Sequence, residues 1–388
     1  MRRPPPGRSA IASMLACASL LAGCGSAASP APGPAAEAPG GGAAGLATSL
    51  VTPAGTWAVA VMGGSAASDN NFWQLFVRPA GTTDWKLVTP AGVADNGGLV
   101  VADAGGQSLI TGFRPSQDLT YTPLTSTRDA GHAWSPTGPL GGALADVPDA
   151  LATAPATAHL LALLTNGTVQ VAAPTYTKWR TLVTRRALAG STAGRRCGLT
   201  ALSAVSYTSS GVPLLGGTCS RPGMAGIFTE VNGSWQATGP AVASAAARDP
   251  LTVLRLTRTG DSTVALLKAG RGETASLVAA RSADGSSRWT VSAPLRLHGK
   301  LSIASFGPAG TTVLNGSTAA TISASGGTWR SLPAVPAGTA TLAPGPAGGF
   351  DALAVHRTKL TVWQLSTGAT AWHVTQVVNV PIQFGSSG

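Results

Sequence analysis

Acidic residues are scarce in this chain of 388 residues: aspartate and glutamate total fifteen, against twenty-six lysines and arginines, for a formal net charge of +11. Its glutamates are Glu37, Glu230 and Glu273, and its tyrosines Tyr121, Tyr176 and Tyr207. Mechanisms that need converging carboxylates or a tyrosine paired with a glutamate therefore have little to draw on. Cysteine is equally sparse. Cys17, Cys24, Cys197 and Cys219 are too few for a disulfide-dense scaffold, and no histidine lies near any of them at zinc-ligand spacing. The chain also lacks a G-x-S-x-G elbow and a phosphate loop ending in Gly-Lys-Ser/Thr. No metal or cofactor is expected. Beyond the first two dozen residues no apolar run of about twenty residues occurs, so no later membrane-spanning helix is expected. Apolar residues at helical spacing are nearly absent throughout.

What is present begins with "MRRPPPGRSAIASMLACASLLAGC". Arg2, Arg3 and Arg8 form a basic n-region, and Ile11 to Ala22 is an apolar stretch short for a bilayer, so residues 1–23 read as a processing signal. The tetrapeptide Leu21-Ala22-Gly23-Cys24 looks like a bacterial lipobox, which implies lipidation of Cys24 and an extracytoplasmic protein held at the cell membrane. A plain signal peptide cut nearby is the alternative. Residues 24–44, "CGSAASPAPGPAAEAPGGGAA", carry too little charge and bulk to fold, and read as a disordered tether. Once the three arginines leave with the signal, the net charge is +8. Outside the membrane, nucleic acid is not the expected partner of such a charge; anionic surface polymers, lipid headgroups or another envelope protein are.

Residues 45–388 carry a repeat. Trp85, Trp134, Trp179, Trp235, Trp289, Trp329 and Trp372 follow one another at intervals of 40 to 56 residues. "WKLVTP", "WSPTGP", "WQATGP" and "WTVSAP" place a proline five residues after the tryptophan; "WRSLP" shortens the pattern, and "WRTLVT" and "WHVTQV" lose it. Each repeat divides into four strand-like runs between glycine, proline or polar turns, as in "LTVLRLT", "STVALLKA", "ASLVAARS" and "RWTVSA". This pattern predicts an all-β, seven-bladed β-propeller of four-stranded antiparallel blades. An open solenoid would want atypical capping repeats, and an eighth blade another tryptophan. The tail "VPIQFGSSG" resembles "SIASFGPAG" of the sixth repeat, and is a candidate closing strand.

One stretch has its own spacing. "TRDAGHAW" reads T-x-D-x-G-x-x-W, with Thr127, Asp129, Gly131 and Trp134; "SADGSSRW" keeps Ser282, Asp284 and Trp289, with Ser286 in place of the glycine. It resembles the Asp-box, or BNR repeat, of sialidase-like propellers. The resemblance implies a hairpin joining the third and fourth strands of a blade, where these residues serve folding. Sialidases also use a tyrosine nucleophile, a glutamate, an aspartate and three arginines. None of these can be placed on this chain, and "FRPS" at 113–116 is only a distant echo of the family's Arg-Ile-Pro.

Cys197 and Cys219 are predicted to pair, because antiparallel neighbours bring the start of a first strand beside the end of the second. The ligand face is expected on the side of the fourth-to-first and second-to-third connections. That assignment gathers Arg114, Arg185, Arg186, Arg195, Arg196, Arg221, Arg248, Arg271, Arg296 and Arg357 there as a candidate anion-binding rim. The functional expectation is a monomeric, non-catalytic binding or scaffold module. The alternatives are a glycoside hydrolase using Asp146, Asp149 and Asp249 near the central opening, and an assembly factor for a membrane complex.

Overall fold

Short β-forming runs bounded by glycine and proline turns pair with their sequence neighbours along the whole described chain. The computed structural model describes residues 48–65, 68–93, 98–105, 108–113, 123–136, 148–242, 249–270, 275–283, 287–299, 301–307 and 310–380, with 63–65 and 68–71 by backbone alone. The leader, the tether, Cys24 and the tail from 381 lie outside the described residues, as do Tyr121, Glu37 and Glu273.

The strands form seven consecutive meanders. The first holds β1 (Thr48–Thr52), β2 (Gly55–Ser65), β3 (Ser68–Pro79) and β4 (Lys86–Leu87). The second holds β5 (Leu99–Gly105), β6 (Ser108–Phe113), β7 (Leu124–Thr127) and β8 (Ser135–Pro136). In the third are β9 (Pro148–Thr153), β10 (Leu160–Leu164), β11 (Thr168–Ala172) and β12 (Trp179–Thr184). Two helices, α1 (Arg185–Gly190) and α2 (Thr192–Cys197), lead into the fourth: β13 (Leu199–Tyr207), β14 (Pro213–Cys219), β15 (Gly226–Val231) and β16 (Ser234–Ala237). The fifth has β17 (Leu251–Thr259), β18 (Ser262–Ala269) and β19 (Ser276–Ala283), its outer position shared by β20 (Trp289–Val291) and β21 (Leu295–Arg296). The sixth comprises β22 (Leu301–Gly307), β23 (Gly310–Asn315), β24 (Thr318–Ser323) and β25 (Arg330–Ser331), and the seventh β26 (Thr339–Pro344), β27 (Phe350–His356), β28 (Lys359–Leu365) and β29 (His373–Asn379). Every pairing is antiparallel. The fourth and fifth meanders join in one sheet of nine strands, because Thr218 and Cys219 of β14 pair with Thr252 and Leu251 of β17.

The cores lie between meanders, not within them. Ala58, Phe76 and Trp85 of the first share one cluster with Leu353, Leu360 and Val362 of the seventh, while Leu161, Val169 and Leu215, Phe228 do so for the third and fourth. Such burial of both faces explains strands like "LLALL" of β10, apolar at every position and buried at every position. First strands touch their successors from β1 to β5, β9, β13, β17, β22 and β26, and β26 touches β1 and β2.

The recurring indoles sit at these seams. Trp134 donates its Nε1–H to the carbonyl of Val88 (2.9 Å), Trp289 to Thr238 (2.6 Å), Trp329 to Ala293 (3.1 Å) and Trp372 to Pro333 (3.4 Å). Each acceptor lies three or four residues past the tryptophan of the preceding meander. The ring therefore serves as an apolar wedge whose polar edge is satisfied by the neighbour. Trp85 has no preceding meander in sequence, and its Nε1 donates instead to Asp351 of the seventh (2.9 Å). Trp179 bonds within its own turn, to Tyr176 O (3.1 Å).

Thr127 to Trp134 forms the turn from β7 to β8. The Thr127 hydroxyl donates to Asp129 Oδ1 (2.7 Å) and accepts from Gly131 N–H (3.0 Å), while Ala133 N–H donates to Asp129 Oδ1 (3.0 Å). Gly131 has φ of 85°, and a Cβ there would stand 2.6 Å from Val88 Cβ, so both conformation and space require glycine. In the second copy Ser282 is buried at the end of β19, Trp289 makes its seam bond, and Asp284 lies outside the described residues.

The helices α1 and α2 are a departure from the sequence expectation, which placed only a loop at "TRRALAGSTAGRRC". The capping residues explain them. Thr184 and Ser191 accept from Ala187 N–H and Gly194 N–H, and Gly198, in the left-handed region at φ 68°, ends the second helix.

Candidate functional site

The two ends of the sheets carry different chemistry. Connections between meanders, and those from second to third strands, lie at one end, termed the loop face. First-to-second and third-to-fourth connections lie at the other, the turn face.

On the loop face, the Cys197–Cys219 disulfide spans 5.2 Å between Cα atoms and ties the end of α2 to the last residue of β14. Cys197 stands two residues before the first strand rather than in it, so the bridge fastens a helical insert to the sheet. Both sulfurs are buried. Ser220 N–H and its hydroxyl donate to Gly198 O (2.9 and 3.0 Å), and Arg221 N–H to Cys197 O (3.2 Å), locking the β14–β15 connection against the insert. Arg185 lies over the neighbouring β10–β11 turn, with its N–H on Gly167 O (2.8 Å) and its guanidinium on Thr200 O (3.0 Å). Arg195 donates to Gly190 O. The result is a pinned patch exposing Arg185, Arg186, Arg195, Arg196 and Arg221.

Elsewhere on the loop face Arg296 is exposed on β21, and Arg357 in the β27–β28 turn, where its φ is 55°. Arg114, Arg248 and Arg271 lie outside the described residues, as does Asp146. Asp249, exposed, packs beside Gly270, and Asp149 lies in β9; with Asp69, placed by its backbone at the start of β3, they are the described acidic residues of the loop face.

Two hollows open at the turn face. A cavity of about 470 Å³ opens between the sixth and seventh meanders, walled by Phe306, Phe350, Leu332, Pro344 and Thr321, with Arg330 at its edge. A second, of about 350 Å³, is lined by the ends of the first strands, including Asp103, Thr153, Arg255 and Arg258. Burial pushes the Asp103 carboxyl above its ordinary value, against the pull of Gly105 N–H and Arg258. Burial likewise lowers Arg255 to about 10. Asp103 went unnoticed as a channel residue in the sequence, although its place late in the first-strand run "GLVVADA" was the available signal. Tyr207, at the end of β13, is buried, which raises its phenol; Tyr176, in the β11–β12 turn, donates to Ala158 O (3.1 Å). Among the described residues no group of three or more His, Cys, Asp and Glu side chains could hold a metal ion.

Between the first and seventh meanders lies the salt bridge of the described residues, Arg78 with Asp351. Arg78 also donates to Pro344 O (2.9 Å) and Thr56 Oγ1 (3.2 Å), and its guanidinium lies 5.3 Å from the Trp85 ring centre. Gln376 of β29 exchanges two hydrogen bonds with the Trp85 backbone, at 2.8 and 3.0 Å.

With sheets packed in sequence order and the last against the first, the chain has the architecture of a β-propeller. No protein-family model and no curated protein matches the sequence. Among solved structures it is similar to a protein from Lactobacillus plantarum, at 10% identity and a TM-score of 0.49, over 84% of this chain and 96% of that one. It is also similar to TolB from Acinetobacter baumannii, at 11% identity and a TM-score of 0.42, over 81% of this chain and 61% of that one. Neither similarity bears on function.

Proposed function

We propose that this chain is a lipid-anchored, extracytoplasmic propeller of seven blades, one per meander, that acts as a non-catalytic binding or scaffold module. Its loop face receives an anionic partner of the cell envelope. The observation that carries this reading is the disulfide-pinned patch of Arg185, Arg186, Arg195, Arg196 and Arg221. Guanidinium forks held on a rigid insert lose little freedom when they engage carboxylate, phosphate or sulfate groups. The lipobox-like Leu21–Cys24 supports the anchor, and the Asp-box-like turn at Thr127–Trp134 supports kinship with sialidase-like propellers in architecture alone. A glycoside hydrolase needs two carboxylates facing one sugar. Among the described residues the lining of the cavity at the first-strand ends contributes one, Asp103, which supports the binding reading.

Retention on a teichoic-acid resin tests the reading. The protein is expected to bind and to elute with moderate salt, and Arg185→Ala, Arg186→Ala, Arg195→Ala and Arg196→Ala together should release it. Unchanged retention of that variant would remove the loop face as the binding surface. Turnover of a chromogenic glycoside would replace the binding module with an enzyme.

A further inference from the structure

We propose that the arginine-bearing loop face docks on the anionic phospholipid surface of the membrane that carries the anchor. This rests on the reading above and names the partner within it. The additional observation is where the chain enters the fold. Each first strand runs from the loop face toward the turn face, and β1 follows this direction, with Thr48 opposite Val59 near the middle of β2. The chain therefore enters β1 from the side of the sheets that exposes Arg185, Arg186, Arg195, Arg196 and Arg221.

Twenty-three residues separate Cys24 from Thr48. Fully extended they reach at most about 80 Å, but a flexible chain of that length has a root-mean-square span of roughly 25–30 Å. An anchor so attached keeps the loop face within reach of the bilayer and raises the effective concentration of headgroups seen by it. That matters because a single exposed arginine near an anionic membrane contributes only about 1 kcal/mol. Four on the rigid insert, with Arg221 beside them, suffice once the surface is held nearby. Lys268, Arg296, Arg357 and Lys359 extend the cationic rim around the same face, with Asp69, Asp149 and Asp249 as its described acids. On the turn face the exposed cations, such as Arg128, Arg180 and Arg330, come from separate meanders rather than from one disulfide-pinned patch.

The full-length protein, reconstituted in phosphatidylcholine vesicles with or without phosphatidylglycerol, provides the test. A fluorophore is placed on the loop face at Ala187→Cys or on the turn face at Ser234→Cys, both exposed, and a quencher on the lipid headgroups. Phosphatidylglycerol should quench the Ala187 label several-fold more than neutral lipid does, and leave the Ser234 label unchanged. High salt should reverse the effect, since charges are screened beyond about 10 Å at ordinary ionic strength. Replacing the four insert arginines by alanine should lower the propeller's partition onto anionic vesicles on the order of a hundredfold or more; its unfolding midpoint should stay that of the parent. Equal quenching in both lipids, or equal quenching of both labels, overturns the membrane assignment. If that protein still binds teichoic-acid resin, the broader reading of the face survives; if it binds neither, both fail. A protein that ignores neutral vesicles yet meets anionic ones loop face first supports the docking surface and overturns the anchor.

Discussion

The loop face and the turn face are two ends of the same sheets, held together by different means. At the loop face a covalent bond, Cys197–Cys219, and short capped helices fix an insert whose exposed side chains are cations. At the turn face the fastenings are hydrogen bonds and one buried ion pair: indoles donating across seams, the Thr127–Asp129 turn, and Arg78 against Asp351. The turn face uses the buried Arg78 to close a seam, whereas the loop face gathers five exposed arginines on and beside one pinned insert. Stability and binding should therefore separate by face under mutation.

The largest expected loss comes from Asp351→Ala. It strands the buried Arg78 guanidinium at the seam of the first and seventh meanders, and removing one partner of such a pair costs about 3–5 kcal/mol. Urea denaturation should show it, while the folded variant keeps parental retention on an anionic resin. A parental midpoint would mean that this seam does not hold the two meanders together. Next is Cys197→Ala with Cys219→Ala. Opening a bridge over a sequence separation of 22 should cost about 3 kcal/mol and, unlike Asp351→Ala, should also weaken resin retention by loosening the insert. Full retention would show that the arginines need no pinning. Trp134→Phe keeps the ring and deletes the bond to Val88 O, for about 1 kcal/mol with no change in binding. The four-arginine replacement should move stability by less than about 0.5 kcal/mol while abolishing retention, the reverse of Trp134→Phe.

The smallest effect concerns pH. The Ala133 N–H, with the Thr127 hydroxyl, holds the Asp129 carboxyl below its ordinary value of 3.8. A lowered folded pKa contributes stability that is present above 3.8 and lost as pH falls through the folded value. Thermal midpoints of Asp129→Asn should thus vary less between pH 5 and pH 3 than those of the parent. Parallel curves would assign the acid sensitivity elsewhere.

Much of the architecture was legible in the sequence because a propeller repeats one local solution. Trp134, Trp289, Trp329 and Trp372 each meet the equivalent stretch of the preceding meander, so their spacing is written into the chain. The strand runs were legible for the same reason: "STVALLKA" is β18, residue for residue. The Cys197–Cys219 pairing followed from strand adjacency. The helical insert was not legible, since six-residue helices rest on caps and on the disulfide, leaving no periodic stripe. Nor was the Arg78–Asp351 pair, whose partners lie 273 residues apart and belong to no repeat.

By itself the sequence determined the all-β class and the order of the strands, the turn chemistry of Thr127–Trp134, and the excess of arginine over acid. These are local or periodic properties, set by side-chain alternation, φ preference and composition. Only the tertiary structure decided which residues of the first and last meanders meet. It also decided that Asp103 and Arg258 share a cavity, and that the arginines between the third and fourth meanders stand on two short helices tied down by the disulfide. Those outcomes depend on sheets meeting across long separations and on the caps of the insert, where packing geometry decides contact and no pattern along the chain records it.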